Sequence, residues 1–180
     1  MLYTTKEILK KYKNKYNLKK AVINKEIFKL DRGIYSDENI LNPIIIISKK
    51  YSSAIISMDT AFYYYDLTDV IPDKIYVVTA RSHNKIQRDD IIQIRTTKEK
   101  LNQGKVKVSI DGTLVNMYNK ERLLVELIRK RNQIPFDYYK EIILNYRKIV
   151  DELDMYKIEE YLSLYKNEES LGNVILLEVF

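Results

Sequence analysis

The residues best placed to do chemistry in this sequence are lysines. Residues 1–30 hold nine of them, at positions 6, 10, 11, 13, 15, 19, 20, 25 and 29, against two acids, Glu7 and Glu26, a local charge of +7. The full 180 residues carry 31 Lys and Arg against 25 Asp and Glu, a net +6, so the other 150 residues sum to −1. A Lys-rich composition alone would spread lysine along the chain. A basic lobe on a nearly neutral body is instead the charge distribution of a protein that meets phosphates at one end. Each ammonium that neutralises a DNA phosphate releases a counterion, which steepens the salt dependence of binding by about 0.9 in log-log slope.

Other chemistries lack their groups. There is no Cys, which removes disulfides, thiolate metal sites and thiol nucleophiles. His83 is the only histidine, so a catalytic triad has one candidate base and a two-His metal site has none. No Asp-x-Asp pair and no Glu-x-Lys spacing is present, and four glycines form no phosphate loop. Asp89-Asp90 after Arg88 is the one adjacent acidic pair of interest, and it reads as a solvated turn. These absences predict a protein that is not an enzyme and uses no cofactor or metal. Most of the 16 tyrosines fall at inward helix positions, where packing explains them better than base stacking. Apolar runs such as Ile44 to Ile47 fall far short of the ~20 residues of a membrane span, and residues 1–7 lack a signal core, so a cytoplasmic location is expected.

The basic residues need elements to hold them. Thr4-Thr5-Lys6-Glu7 reads as a capping box, followed by Ile8, Leu9 and Tyr12 at helical spacing with Lys6, Lys10 and Lys13 on one flank. Asn17 is placed to cap a second helix, with Leu18, Ala21 and Val22 inward and Lys19, Lys20, Ile23 and Asn24 outward. Two short apolar runs, Ile27 to Leu30 and Ile34 to Ser36, flank a turn at Asp31-Arg32-Gly33 and predict a hairpin. Two helices and a hairpin outline a minimal winged helix-turn-helix, whose second helix enters the major groove and whose wing tip, here Arg32, lies near a phosphate.

Asn42-Pro43 opens a helix to about Lys50, and Ser57 caps another through Leu67. Residues 74–79, 90–96 and 105–110 are β-branched, and Asp111-Gly112 turns the chain into Thr113-Leu114-Val115. Leu123, Leu124, Leu127 and Ile128 define a helix. From Phe136 an apolar stripe continues to Leu153, and Asp154 caps a further helix. Gly172 to Phe180 fits strand or helix. The expected fold is therefore α+β. A winged-helix DNA-binding domain over 1–69, with supporting helices, precedes a mixed α/β domain over 70–180 that ends in a helical bundle. Ile44, Ile47 and the 57–67 helix are expected to pack under the winged helix, which is otherwise too small to hold a core.

The order of these motifs resembles the antitoxin and transcriptional-regulator family of AbiE abortive-infection systems, the type IV toxin-antitoxin class. Thr5-Lys6-Glu7-Ile8-Leu9 and the wing Leu30-Asp31-Arg32-Gly33-Ile34-Tyr35-Ser36 carry the likeness at the start. Ala54-Ile55-Ile56-Ser57 to Ala61-Phe62, Asp66-Leu67 before Ile71-Pro72, and Val115 to Leu124 continue it. The resemblance implies binding to repeats in the protein's own promoter double-stranded DNA, repression of transcription, and a second domain that counteracts a co-encoded, nucleotidyltransferase-like toxin without a required stable complex. It places DNA contacts on Lys19, Lys20, Asn24 and Arg32, and a second-domain basic patch on Arg129, Lys130 and Arg131. Those three fit a solvated helix end equally well. Two other readings compete: a module that docks an acidic protein through its basic helices, and a nuclease or transferase built on Asp89 and Asp90.

Overall fold

The computed structural model describes all 180 residues, in two compact units: Met1–Ala54 with Val108–Val115, and Ile55–Lys107 with Asn116–Phe180.

In the first unit the capping box forms as its residues require. The Glu7 N–H donates to Thr4 Oγ1, and the Thr4 N–H donates to the Glu7 carboxylate at 2.6 Å, which starts α1 (Thr5–Tyr12). The chain turns at Lys13, which has a φ of 65° and so lies past the helix rather than on its flank. Asn14 then caps α2 (Lys15–Ile23) by accepting from the Asn17 N–H at 2.8 Å; Asn17 is inside the helix, not its cap. The hairpin pairs β2 (Phe28–Asp31) with β3 (Ile34–Ser36) around Gly33, whose φ of +84° suits only a residue without Cβ.

A third strand, β1 (Leu2–Thr4), pairs antiparallel with β3, giving the order β1-β3-β2. Three residues are too few to show a period-two pattern, so this strand is invisible in the sequence. Ile8, Leu18, Ala21 and Ile27 form the core, with Tyr3, Leu9, Tyr12, Val22 and Tyr35 packed around it. Then α3 (Pro43–Lys50) lies on β1 and β3 and buries Ile44, Ile45 and Ile47. Each such side chain contributes about 1.5–3 kcal/mol on burial, so α3 and β1 supply the support that two short helices lack. Residues 2–36 thus run β1-α1-α2-β2-β3, the two helices and hairpin expected from the sequence with one strand added.

Glu7 ties α3 to α1, because Lys49 Nζ lies 2.9 Å from its carboxylate. The backbone hydrogen bond from Thr4, then the hydrogen bond from Lys49, bring its pKa down from 4.5 to about 2. A depressed carboxyl stabilises the fold above its unfolded pKa and loses that contribution as pH falls through the folded value. Glu7→Gln is therefore expected to destabilise the fold at pH 6 by about 0.5–1 kcal/mol, as for a half-exposed, solvent-screened pair, and so to lower the melting temperature. The gap from wild type should close between pH 4.5 and 2 in thermal melts; a gap that persists at pH 2 would contradict the pairing.

The second unit begins earlier than residue 70. Ile55 and Ile56 form β4, pairing antiparallel with Val78 and Val77, while Ile56 pairs parallel with Met117. That commits the segment to the second sheet, and α4 (Met58–Tyr64) packs on β5 and α6. The sheet has the order β6-β5-β4-β8-β7, from β5 (Ile75–Ala80), β6 (Ile91–Thr96), β7 (Lys105–Ile110) and β8 (Thr113–Tyr118). The β7–β8 hairpin end, Val108–Val115, groups with the first unit. Strands β5 and β6 run parallel from Ile75 beside Ile91 to Ala80 beside Thr96, and α5 (Lys98–Asn102) follows β6.

Helix α6 (Lys120–Lys130) is the centre of this unit. Every residue from Glu121 to Ile128 is buried, with α4, α8 (Met155–Leu162) and α9 (Glu168–Glu178) packed against it. Gly104 makes room for it: a Cβ there would come within 2.5 Å of Arg122 Cβ, and its φ is +78°. Helix α7 (Phe136–Lys148) ends five residues before its apolar stripe does, because residues 150–152 form a 3-10 turn before Asp154 caps α8. Residues 168–178 are helical, which settles the C-terminal segment. The class is α+β throughout, and no helix is long and apolar enough to cross a membrane.

Candidate functional site

In the first unit the acids determine which lysines are left over. Glu7 holds Lys49, and Asp31 holds Lys50 at 2.8 Å. Asp37 lies 3.3 Å from the N-terminal amine and 3.6 Å from Lys11, Glu38 lies 3.6 Å from the same amine, and Glu26 accepts from Asn24. All the acids of residues 1–54 are thereby turned to other partners. Lys6, Lys10, Lys13, Lys19, Lys20 and Arg32 are exposed and pair with no carboxylate.

Their placement is uneven. Lys6 and Lys10 stay on α1, and Arg32 precedes Gly33 in the hairpin turn. Lys13, Lys20 and Asn24 gather around a shallow groove of about 480 Å³, with Tyr12 and Asn17. Asn24 sits at the C-terminal cap of α2 with its amide on Glu26 at 3.1 Å, so it is not the free outward amide that the helical wheel suggests. The outward face of α2 carries Lys19 and Lys20 between Tyr16, 76% exposed, and Ile23, 69% exposed. Long cations with apolar surface between them can contact backbone phosphates and thymine methyls together.

The second unit's basic triplet does not form an open patch. Arg129 makes two hydrogen bonds to Glu126 Oε2, at 3.1 and 2.6 Å, and Arg131 Nη1 donates to the Ile128 carbonyl at 3.1 Å. Lys130 is partly buried, and that burial lowers its pKa. Two of the three are thus engaged at the end of α6, where the Ile128 carbonyl accepts both the backbone N–H and the guanidinium of Arg131.

Sequence reasoning missed the neighbour of that triplet. The Arg122 side chain is 1% exposed; its Nη2 donates to Glu126 Oε1 at 2.8 Å and to the Tyr165 hydroxyl at 2.9 Å. Tyr165 in turn donates to Glu126 Oε1 at 2.6 Å. Burial by itself would raise the Glu126 carboxyl, but Arg129 and Arg122 outweigh it and hold the group below its ordinary range. The guanidinium also stacks among the rings of Tyr118, Tyr161 and Tyr165, 5.2 to 5.9 Å from their centres. Nε and Nη1 of Arg122 meet no acceptor, and a buried donor left unpaired costs about 1–3 kcal/mol. The available signal was the Arg-x3-Glu-x2-Arg spacing of 122, 126 and 129, which puts the three on one helix stripe.

The remaining candidates stay apart. Arg88 Nε binds Asp90 Oδ1 at 2.8 Å in the turn before β6, Asp89 is exposed beside it, and His83 Nδ1 lies 2.8 Å from the Asn84 carbonyl after β5. No group of three or more His, Asp or Glu side chains is arranged to hold a metal ion.

No family model matches the sequence, and no curated protein matches it significantly. Among solved structures, the fold is similar to that of the RV2827C protein from Mycobacterium tuberculosis, with a TM-score of 0.65 over 93% of this chain and 68% of that one, at 12% identity.

Proposed function

We propose that this chain is a DNA-binding autorepressor and antitoxin of an AbiE-like type IV system, with the winged helix as its operator-binding unit. The observation that carries the reading is the electrostatic sorting of residues 1–54. The acids there are occupied by Lys11, Lys49, Lys50, Asn24 and the N-terminal amine, which leaves α1, α2 and the wing with unneutralised cations on elements that can follow a duplex. The resemblance in motif order to the AbiE antitoxins supports the second half: a toxin resembling a nucleotidyltransferase, encoded beside this gene, is neutralised by the second unit.

Two measurements test the two halves separately. Fluorescence anisotropy with the protein's own promoter should show specific binding that weakens steeply with salt; equal affinity for promoter and scrambled duplex would overturn repression. Expression of the adjacent gene should arrest growth and co-expression of this chain should relieve it. Relief that requires a salt-stable complex through the basic helices would favour the acidic-partner module instead.

A further inference from the structure

Beside α6 lies a cavity of about 320 Å³ that operator binding by the winged helix leaves unexplained. Its wall holds five cations, Arg81, Arg95, Lys100, Arg122 and Arg129, and one carboxylate, Glu126. That carboxylate is already shared between Arg122 and Arg129. The positive charge of the other three is therefore not neutralised within the cavity.

Three further observations concern what could occupy it. Arg122 borders the cavity almost fully buried, with Nε and Nη1 lacking an acceptor, and the buried Ser57 Oγ on the same wall also lacks a partner. These are donors awaiting acceptors. Strands β5 and β6 are parallel and end together, so that Arg81 donates its N–H to the Thr96 carbonyl at 2.8 Å and Thr96 and Thr97 open onto the cavity with it. The carboxyl ends of parallel strands are where open α/β sheets leave a crevice for ligands. Finally, Lys100 is held over the Tyr165 ring, 4.3 Å from its centre, and Tyr118 and Tyr165 add aromatic surface.

We propose that this cavity binds a nucleotide, its phosphate received by Arg122, Arg81 and Lys100 and its remaining surface by the tyrosine wall. A phosphate satisfies several guanidinium and ammonium donors at once, which a carboxylate or halide does less completely. The volume selects the rest: water occupies about 30 Å³, so a lone inorganic phosphate would leave most of the cavity unfilled, whereas a mononucleotide matches the lower range of small-molecule pockets.

The test is calorimetric titration of the full-length protein, free of DNA, with inorganic phosphate, AMP and ATP. AMP or ATP is expected to bind more tightly than phosphate, and phosphate to compete with it. The double variant Arg81→Ala/Lys100→Ala removes two cations that make no ion pair with Glu126 and should weaken nucleotide binding about tenfold or more, while the protein stays folded in circular dichroism and its melting temperature falls only by the loss of the Lys100–Tyr165 contact. Absence of binding by all three at millimolar concentration overturns the proposal, as does equal affinity for phosphate and AMP, or full nucleotide affinity in the double variant. A double variant that loses promoter affinity, in a protein that binds no nucleotide, would make the cavity a DNA-backbone contact. The titration contains no DNA, so its failure leaves operator binding untouched and the reverse holds as well.

Discussion

Lys19→Glu/Lys20→Glu should reduce promoter affinity about 100-fold or more at physiological salt while leaving the fold intact. Both side chains are exposed on α2 and neither meets a carboxylate, so reversal breaks no internal contact. The predicted loss follows from removing two charge-assisted contacts worth about 1.5–3 kcal/mol each. A second readout separates this from general destabilisation. If the two lysines neutralise two phosphates, the slope of log affinity against log salt becomes shallower by about 2. Anisotropy titrations over a range of salt, with circular dichroism melts as the folding control, measure both. Lys166→Glu makes the same kind of charge change at an exposed site in the second unit and should leave affinity and slope near wild type. Unchanged promoter affinity in the α2 variant would remove the basis for reading the lobe as a DNA surface.

The prediction rests on elements that local sequence rules identify well. Thr4 and Glu7 are three residues apart before an apolar stripe, and that spacing forms the box because both bonds are local. Asn14 and Asn17 show the limit of such rules. Either can cap a helix, and Asn14 is the one used because the chain reverses at Lys13. The domain boundary failed for a non-local reason. Ile55 and Ile56 form so short a strand that only their partners Val77, Val78 and Met117 decide which unit owns them. Basic residues in the last turn of α7, Arg147 and Lys148, did mark its end, but the apolar run through Leu153 obscured them.

The least legible feature was the burial of charge in α6. On a wheel, Leu123, Leu124, Leu127 and Ile128 already supply an inward face, so Arg122 and Glu126 read as a solvated i, i+4 pair. Tyr118, Tyr161 and Tyr165, from β8, α8 and the turn after it, close over the guanidinium, and no local pattern announces that they converge.

That burial makes the energetic consequences of the two partners unequal. Glu126→Gln is expected to destabilise the protein by about 3–5 kcal/mol, because it leaves the buried Arg122 without its counter-charge. Arg122→Met should cost less, since Glu126 keeps Arg129 at 2.6 Å and the methionine still packs among the tyrosines. Against a total stability of about 5–15 kcal/mol, the first loss is large enough to read directly from urea midpoints at constant m-value. Equal costs for the two variants would mean that Glu126 does not hold both arginines. The carboxyl lies below its ordinary range in the folded protein, so its contribution is present above its unfolded pKa and disappears in acid; the Glu126→Gln deficit should shrink there. The same variant bears on the cavity. An anion seated against Arg122 would replace the missing carboxylate charge, so the Glu126→Gln protein should bind nucleotide more tightly and gain more stability from it than wild type does, by the logarithm of ligand concentration over Kd. A deficit that nucleotide leaves unchanged would show that the phosphate does not reach Arg122.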